Sequence, residues 1–133
     1  MKLLLDTHIW FWVNDDPVRL GRSCRDLIAD PSNALYWSTV TTLELARLTE
    51  QGRLDVGKDL RVWIETGMEA VMANAMEIDD PVALEAYRLP GTFHKDPCDR
   101  LLVAQARIHD LYLVTMDDMI LNYPHVRTLD ARV

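Results

Sequence analysis

Five carboxylates stand where a chain of this pattern can gather charge: Asp6, Glu44, Asp96, Asp99 and Asp117. Asp6 follows the run Lys2-Leu3-Leu4-Leu5 directly, and Asp117 comes just after Tyr112-Leu113-Val114-Thr115. Glu44 lies early in the helical pattern that follows Ser38, while Asp96 and Asp99 flank Pro97-Cys98 at the start of a long apolar-periodic stretch. Four or five acids converging within a few ångströms repel one another, and some of their pKa values rise unless a cation neutralises them. Oxygen-only ligands select a hard metal, and Mg²⁺ in particular is held by a few carboxylates plus waters while a substrate phosphate completes the shell. One such ion, or two roughly 3.5 to 4 Å apart, turns water into a nucleophile for in-line attack on a phosphodiester. No covalent nucleophile is required for that reaction.

The elements that must position these acids are legible from periodicity. Short apolar runs at Lys2–Leu5, Ala34–Trp37, Ala75–Ile78, Tyr112–Thr115 and Val126–Leu129 read as strands, with helical patterns between them. Nearly all-apolar strands separated by helices predict a three-layer α/β/α sandwich around a five-stranded parallel sheet. The functional crevice of such a sheet lies beyond the carboxyl ends of its strands, which sets Asp6 and Asp117 on one rim. Asp16-Pro17, Asp80-Pro81 and Asp96-Pro97 each place a capping side chain before a proline suited to a first helical turn. Between Cys98 and His109, the residues Leu101, Ala104 and Ile108 form one stripe, with Asp99 near the helix start and away from it.

Composition narrows the class. At 133 residues there is room for one core, so 1–133 is read as a single domain. About two thirds of the unfolded surface can be buried at this length, so any metal is functional and not a structural staple. Cys24 and Cys98 form neither a CxxC pair nor a zinc cluster and are read as reduced, packed thiols. Asp6 cuts the apolar opening before it could form a signal-peptide core, and no run reaches membrane-spanning length, so a cytoplasmic location is expected. A net charge of −7 argues against a broad basic surface that coats nucleic acid.

Each candidate also has a plainer reading. Thr41-Thr42-Leu43-Glu44 is a legitimate capping box; Asp96 suits an N-cap with Asp99 complementing the helix dipole; Asp6 and Asp117 suit caps as well. A carboxylate can cap through one oxygen and meet a metal through the other. Thr115 and Ser38 either orient pocket groups or satisfy nearby backbone, and His8 and His94 are either proton carriers or loop histidines. Trp10, Phe11, Trp12, Trp37 and Trp63 are read as core or dimer contacts in preference to base-stacking groups. Arg22, Arg25, Arg47, Arg53, Lys95 and Arg100 are the candidate phosphate contacts, with Arg100 and Lys95 best placed.

Taken in order, Leu3-Leu4-Leu5-Asp6-Thr7-His8, Thr41-Thr42-Leu43-Glu44-Leu45-Ala46, the run from His94 through Asp99 to Ala106, and Leu113-Val114-Thr115-Met116-Asp117 resemble the successive motifs of the PIN-domain family. Within it they are most similar to the VapC-like toxins of type II toxin–antitoxin pairs. The likeness runs almost end to end, and Asp-Pro-x-Asp-Arg-Leu-Leu-x-Ala-Gln-Ala is its most specific part; Cys98 departs from the aromatic residue common there. The resemblance implies an acidic metal pocket carried by Asp6, Glu44, Asp99 and Asp117, with Asp96 as an auxiliary ligand. It also implies Mg²⁺ or Mn²⁺ dependence, endonucleolytic cleavage of RNA, homodimerisation, and inhibition by a small antitoxin that covers the active site. Two rivals are weighed against this. An aspartyl-phosphate phosphatase or phosphotransferase would use Asp6 as nucleophile, but the second acid expected two positions on is replaced by His8 and no later lysine motif follows. A catalytically silent binding module of the same fold gains little support, because all the expected acids are present.

Overall fold

The computed structural model describes residues 1–133. Strand β1 (Lys2–Leu5) leads into helix α1 (Thr7–Asp15), a 3₁₀ turn (Pro17–Arg19) and α2 (Arg22–Ala29). Next come β2 (Ala34–Ser38), α3 (Thr39–Glu50), α4 (Leu60–Ala70), β3 (Asn74–Met76) and α5 (Asp80–Glu85). The chain ends with α6 (Pro97–Ile108), β4 (Tyr112–Thr115), α7 (Asp118–Leu121) and β5 (Thr128–Asp130). All five strands are parallel, in the order β3-β2-β1-β4-β5. The chain thus builds outward from β1 through β2 to β3, then crosses back to lay β4 and β5 on the other side. The direction reverses between β1 and β4, where a crevice opens past the strand ends.

The strand pattern explains the layers. Successive side chains of β1 point to opposite faces: Leu3 and Leu5 join Ile9, Trp10, Leu35, Trp37, Leu45 and Trp63 on one side, while Leu4 joins Val40, Leu102, Val103 and Leu113 on the other. Leu3, Leu4 and Leu5 are fully buried, each contributing roughly 1.5–3 kcal/mol. Helices α1, α2 and α4 supply the first face and α6 and α7 the second, with α3 contributing to both. The three-layer α/β/α expectation holds. Trp10, Trp37, Trp63 and Phe11 form the aromatic core expected of them, with Trp10 and Trp37 ring centroids 4.9 Å apart. Trp12 is only half-buried and has the Arg19 guanidinium 5.5 Å over its ring.

The structure shifts several boundaries. β3 spans Asn74–Met76, not Ala75–Ile78, because this edge strand pairs only with β2, over Tyr36↔Asn74 to Ser38↔Met76. β5 likewise lies two residues later at its start, in register with β4 from Leu113↔Thr128. Asp16 makes no side-chain cap ahead of its 3₁₀ turn, and α5 is capped by Asp79, whose carboxylate accepts the Val82 amide at 3.1 Å, leaving Asp80 in the first turn. The stripe on α6 also moves: Leu102, Val103 and Ala106 face the sheet, Ala104 meets Val82 and Ala86 of α5, and Ile108 is 39% exposed. Because α6 is covered on two sides, a single-stripe reading fails. Asp99, three and four positions before Leu102 and Val103, shares their sheet-facing side. Both cysteines are free, and burial pushes each thiol up to about 11. No helix is long and apolar enough to cross a membrane.

Candidate active site

Asp6 leaves the end of β1 with its amide donating to the Val114 carbonyl of β4 at 3.0 Å, so the sheet ladder itself seats it. It caps α1: Oδ1 accepts the Thr7 amide at 2.7 Å, and Oδ2 accepts the Thr115 hydroxyl at 2.8 Å. The residue is 7% exposed. Thr115 Oγ1 in turn accepts the Asp117 amide at 3.0 Å, so one buried hydroxyl at the end of β4 ties both rim acids together. Asp117 caps α7 through the Met119 amide at 2.8 Å.

Glu44 does not close a capping box. Helix α3 starts at Thr39 with Ser38 as its cap, Oγ accepting the Val40 amide at 3.0 Å, which leaves Glu44 in the second turn. Its Oε1 accepts the Thr7 hydroxyl at 2.6 Å, and Thr7 Oγ1 also lies 3.2 Å from Thr41 Oγ1. Thr7 therefore couples Glu44 to the turn that carries Asp6. Asp96 caps α6, with Oδ1 accepting the Cys98 amide at 2.9 Å and the Asp99 amide at 3.4 Å; it sits on the exposed outer rim.

Asp99 projects from the first turn of α6 with Oδ2 3.0 Å from His94 Nε2. That contact is close but poorly aligned, for Nε2 is buried without a hydrogen-bond partner. Donor atoms of His94, Asp99 and Asp117 all lie within 4.8 Å of one another. His94 is the half-buried loop histidine that the plainer reading expected, but its place beside Asp99 and Asp117 could not be read from the sequence, since a loop has no helical or strand period to orient it. Arg100 explains its placement. The guanidinium donates to the carbonyls of Ala86 (2.8 Å), Phe93 (3.1 Å) and His94 (3.0 Å) and stacks 5.0 Å from the Tyr87 ring. Arg100 thus braces the loop and is not the free phosphate contact expected of it.

The charges of these residues reach one another. Burial pushes the Asp99 carboxyl up to about 8, reinforced by the negative charges of Asp6, Asp96, Asp117 and Glu44. Burial also raises Asp6, opposed by its hydrogen bonds from Thr115 and Thr7, and raises Glu44, opposed by its bond from Thr7. Exposed His8 lowers both Asp6 and Glu44 electrostatically. Asp99, Asp117 and His94 are the tightest group; Asp6 joins them through Thr115, Glu44 adjoins Asp6 through Thr7, and Asp96 stands outermost. A divalent cation suits this donor set. Carboxylate oxygens predominate, their mutual repulsion is only partly offset by the Thr7 and Thr115 hydrogen bonds and by His8, and a buried imidazole nitrogen points in without a hydrogen-bond partner.

A five-stranded parallel sheet with acids gathered past the ends of its two central strands defines an α/β protein with an acidic pocket at its topological switch point. The PIN domain family model matches residues 3–126, and the chain belongs to that family. It is similar to Ribonuclease VapC22 of Mycobacterium tuberculosis, 33% identical over 125 residues that make up 94% of either chain. Among solved structures, VapBC-1 from nontypeable Haemophilus influenzae matches with a TM-score of 0.68 and 16% identity over 98% of both chains. VapBC2 from Rickettsia felis, bound to a DNA fragment from its promoter, matches with a TM-score of 0.67 and 14% identity over 97% of this chain and 98% of that one. At these identities the solved structures speak for the fold.

Proposed function

We propose that this chain is a divalent-metal-dependent endoribonuclease and the toxin of a toxin–antitoxin pair. The observation that carries the reading is the Asp6–Thr115–Asp117 linkage across the central strands, with Asp99 held near enough to feel both acids. The relative named Ribonuclease VapC22 supports RNA as the substrate, and structural neighbours described as toxin–antitoxin complexes or systems support an antitoxin partner. On this reading Asp6, Glu44, Asp99 and Asp117 hold Mg²⁺, with Mn²⁺ as a substitute and Asp96 as auxiliary ligand on the outer rim. When bound, the ion offsets the clustered charge and activates water for attack on the RNA phosphodiester.

The protein's own groups do the positioning. Thr115 and Thr7 fix the orientations of Asp6 and Glu44 from below, and Arg100 holds the loop that brings His94 to Asp99. Attack by Asp6 itself, as an aspartyl-phosphate enzyme requires, is disfavoured because both its oxygens already accept hydrogen bonds in a nearly buried setting. The reading takes 1–133 as one catalytic domain that works in the cytoplasm as a homodimer, restrained by an antitoxin lying across the crevice. Asp6→Asn should preserve the fold, seen by circular dichroism, and abolish Mg²⁺-dependent cleavage of RNA together with growth arrest on expression. Full activity in that variant, or undiminished cleavage by the wild type in chelator, refutes the proposal. Recovery of active, partner-free protein from unstressed native cells counts against the antitoxin.

A further inference from the structure

The chain carries 14 basic residues, and five of them are already engaged by other groups of the protein. Arg19, Arg107, Arg127 and Arg132 are paired with carboxylates, and Arg100 is engaged with backbone carbonyls. Arg47 and Lys95 have no such partner, and they line the same cleft, of about 460 Å³, with Leu43, Asp96, Pro97 and Cys98. Two segments that each carry a site acid deliver these cations. Arg47 lies one turn beyond Glu44 on α3, and Lys95 stands between His94 and Asp96. Both are exposed. The Cys98 thiol in this cleft feels Glu44, Asp96 and Asp99 as well as the opposing charge of Arg47, so the cleft adjoins the acid cluster electrostatically.

We propose that Arg47 and Lys95 form a phosphate subsite that grips an RNA backbone phosphate flanking the one that is cut. The inference rests on the ribonuclease reading and deepens it. Five acids on a molecule of net charge −7 repel a polyanion, and a divalent ion offsets only part of that charge. Cations beside the acids must therefore hold the strand while the scissile phosphate enters. Arg47 offers a forked donor set and Lys95 a mobile point charge, the two means by which proteins hold phosphate. The one carboxylate in the cleft, Asp96, has Oδ1 committed to the amides of Cys98 and Asp99, so its charge is drawn into the helix end. The cleft on the other side of α3 suits a phosphate less well: it is lined mostly by apolar side chains, Phe11, Trp12, Leu45, Leu48 and Leu54, and of its two arginines Arg19 is already held by Asp16, which leaves Arg53 as a lone cation there.

The test compares steady-state cleavage of a short single-stranded RNA by the wild type and by Arg47→Ala/Lys95→Ala, across a salt series at fixed Mg²⁺. The double variant should raise KM on the order of tenfold, as loss of a charge-assisted hydrogen bond implies. Its plot of log KM against log salt should be shallower by roughly 0.7 for each phosphate no longer neutralised. Arg47→Lys/Lys95→Arg should restore most of the salt slope, whereas Lys58→Ala, an unpaired cation in a different cleft, should change neither quantity. Wild-type KM and slope in the double variant overturn the subsite while leaving the ribonuclease reading intact, and so does a fall in kcat with KM unchanged. A wild type that neither cuts nor binds the RNA overturns both.

Discussion

Asp99→Asn removes one negative charge from the crevice while keeping the side chain's size. In the metal-free protein the Asp99 carboxyl is pushed from 3.8 to about 8, by burial first and then by Asp6, Asp96, Asp117 and Glu44. The unfolded chain releases this proton at its ordinary pKa, so between the two values the folded state binds more protons than the unfolded one. Stability therefore falls as pH rises through that window, and the penalty is complete above about pH 8. Each unit corresponds to about 1.4 kcal/mol, but Asp99 faces an open crevice and keeps 14% side-chain exposure. Halving the full conversion for solvent screening leaves roughly 2–3 kcal/mol. Urea unfolding in chelator at about pH 8.5 should give the variant a midpoint about 1 M higher, at a slope of about 2 kcal/mol per molar. The gap should narrow as the pH falls toward 4, and Mg²⁺ should stabilise the wild type more than the variant, which should have lost RNA cleavage. A variant no more stable than the wild type at about pH 8.5, or a gap that widens on acidification, refutes the reasoning.

Thr115→Val deletes the fully buried hydroxyl that donates to Asp6 and accepts from Asp117. It should cost about 1–3 kcal/mol in urea unfolding at pH 7 and lower cleavage, and wild-type behaviour in both assays would show that the linkage is idle. Arg100→Ala strips the loop of its bonds to the Phe93 and His94 carbonyls, and the end of α5 of the bond to the Ala86 carbonyl, and should lower stability by about 2 kcal/mol. Arg100→Lys should fail to restore it, because one ammonium cannot span the carbonyls that a planar fork reaches; equal melting of all three proteins would contradict this role.

The parts of the site that could be read from the chain are those fixed by local grammar. Asp6 follows a strand-like run directly and Asp117 comes just after another, and parallel strands put their carboxyl ends on one edge. Asp96 precedes a proline at a helix start and caps it as expected. What escaped reading depends on contacts distant in sequence. The partner of Glu44 is Thr7, 37 residues away, so a local capping box looked equally good on paper. Ile108 was assigned to the buried side of α6 but is exposed, and the sheet-facing residues Leu102, Val103 and Ala106 were missed, because α5 covers a second face that a one-stripe pattern does not anticipate. Arg100 looked like a free cation because three backbone carbonyls have no signature in side-chain spelling.

The Thr115–Asp6 hydrogen bond joins residues 109 positions apart, and β4 can slot beside β1 only after every intervening element exists. Contacts of such long span form late, since much of the polypeptide must be ordered before they can close. A nascent chain stalled before β4 holds Asp6, Glu44, Asp96 and Asp99, yet lacks Asp117 and the strand and hydroxyl that seat Asp6. Truncated translation products should accordingly lack the assembled pocket, which can form only once β4 has been made.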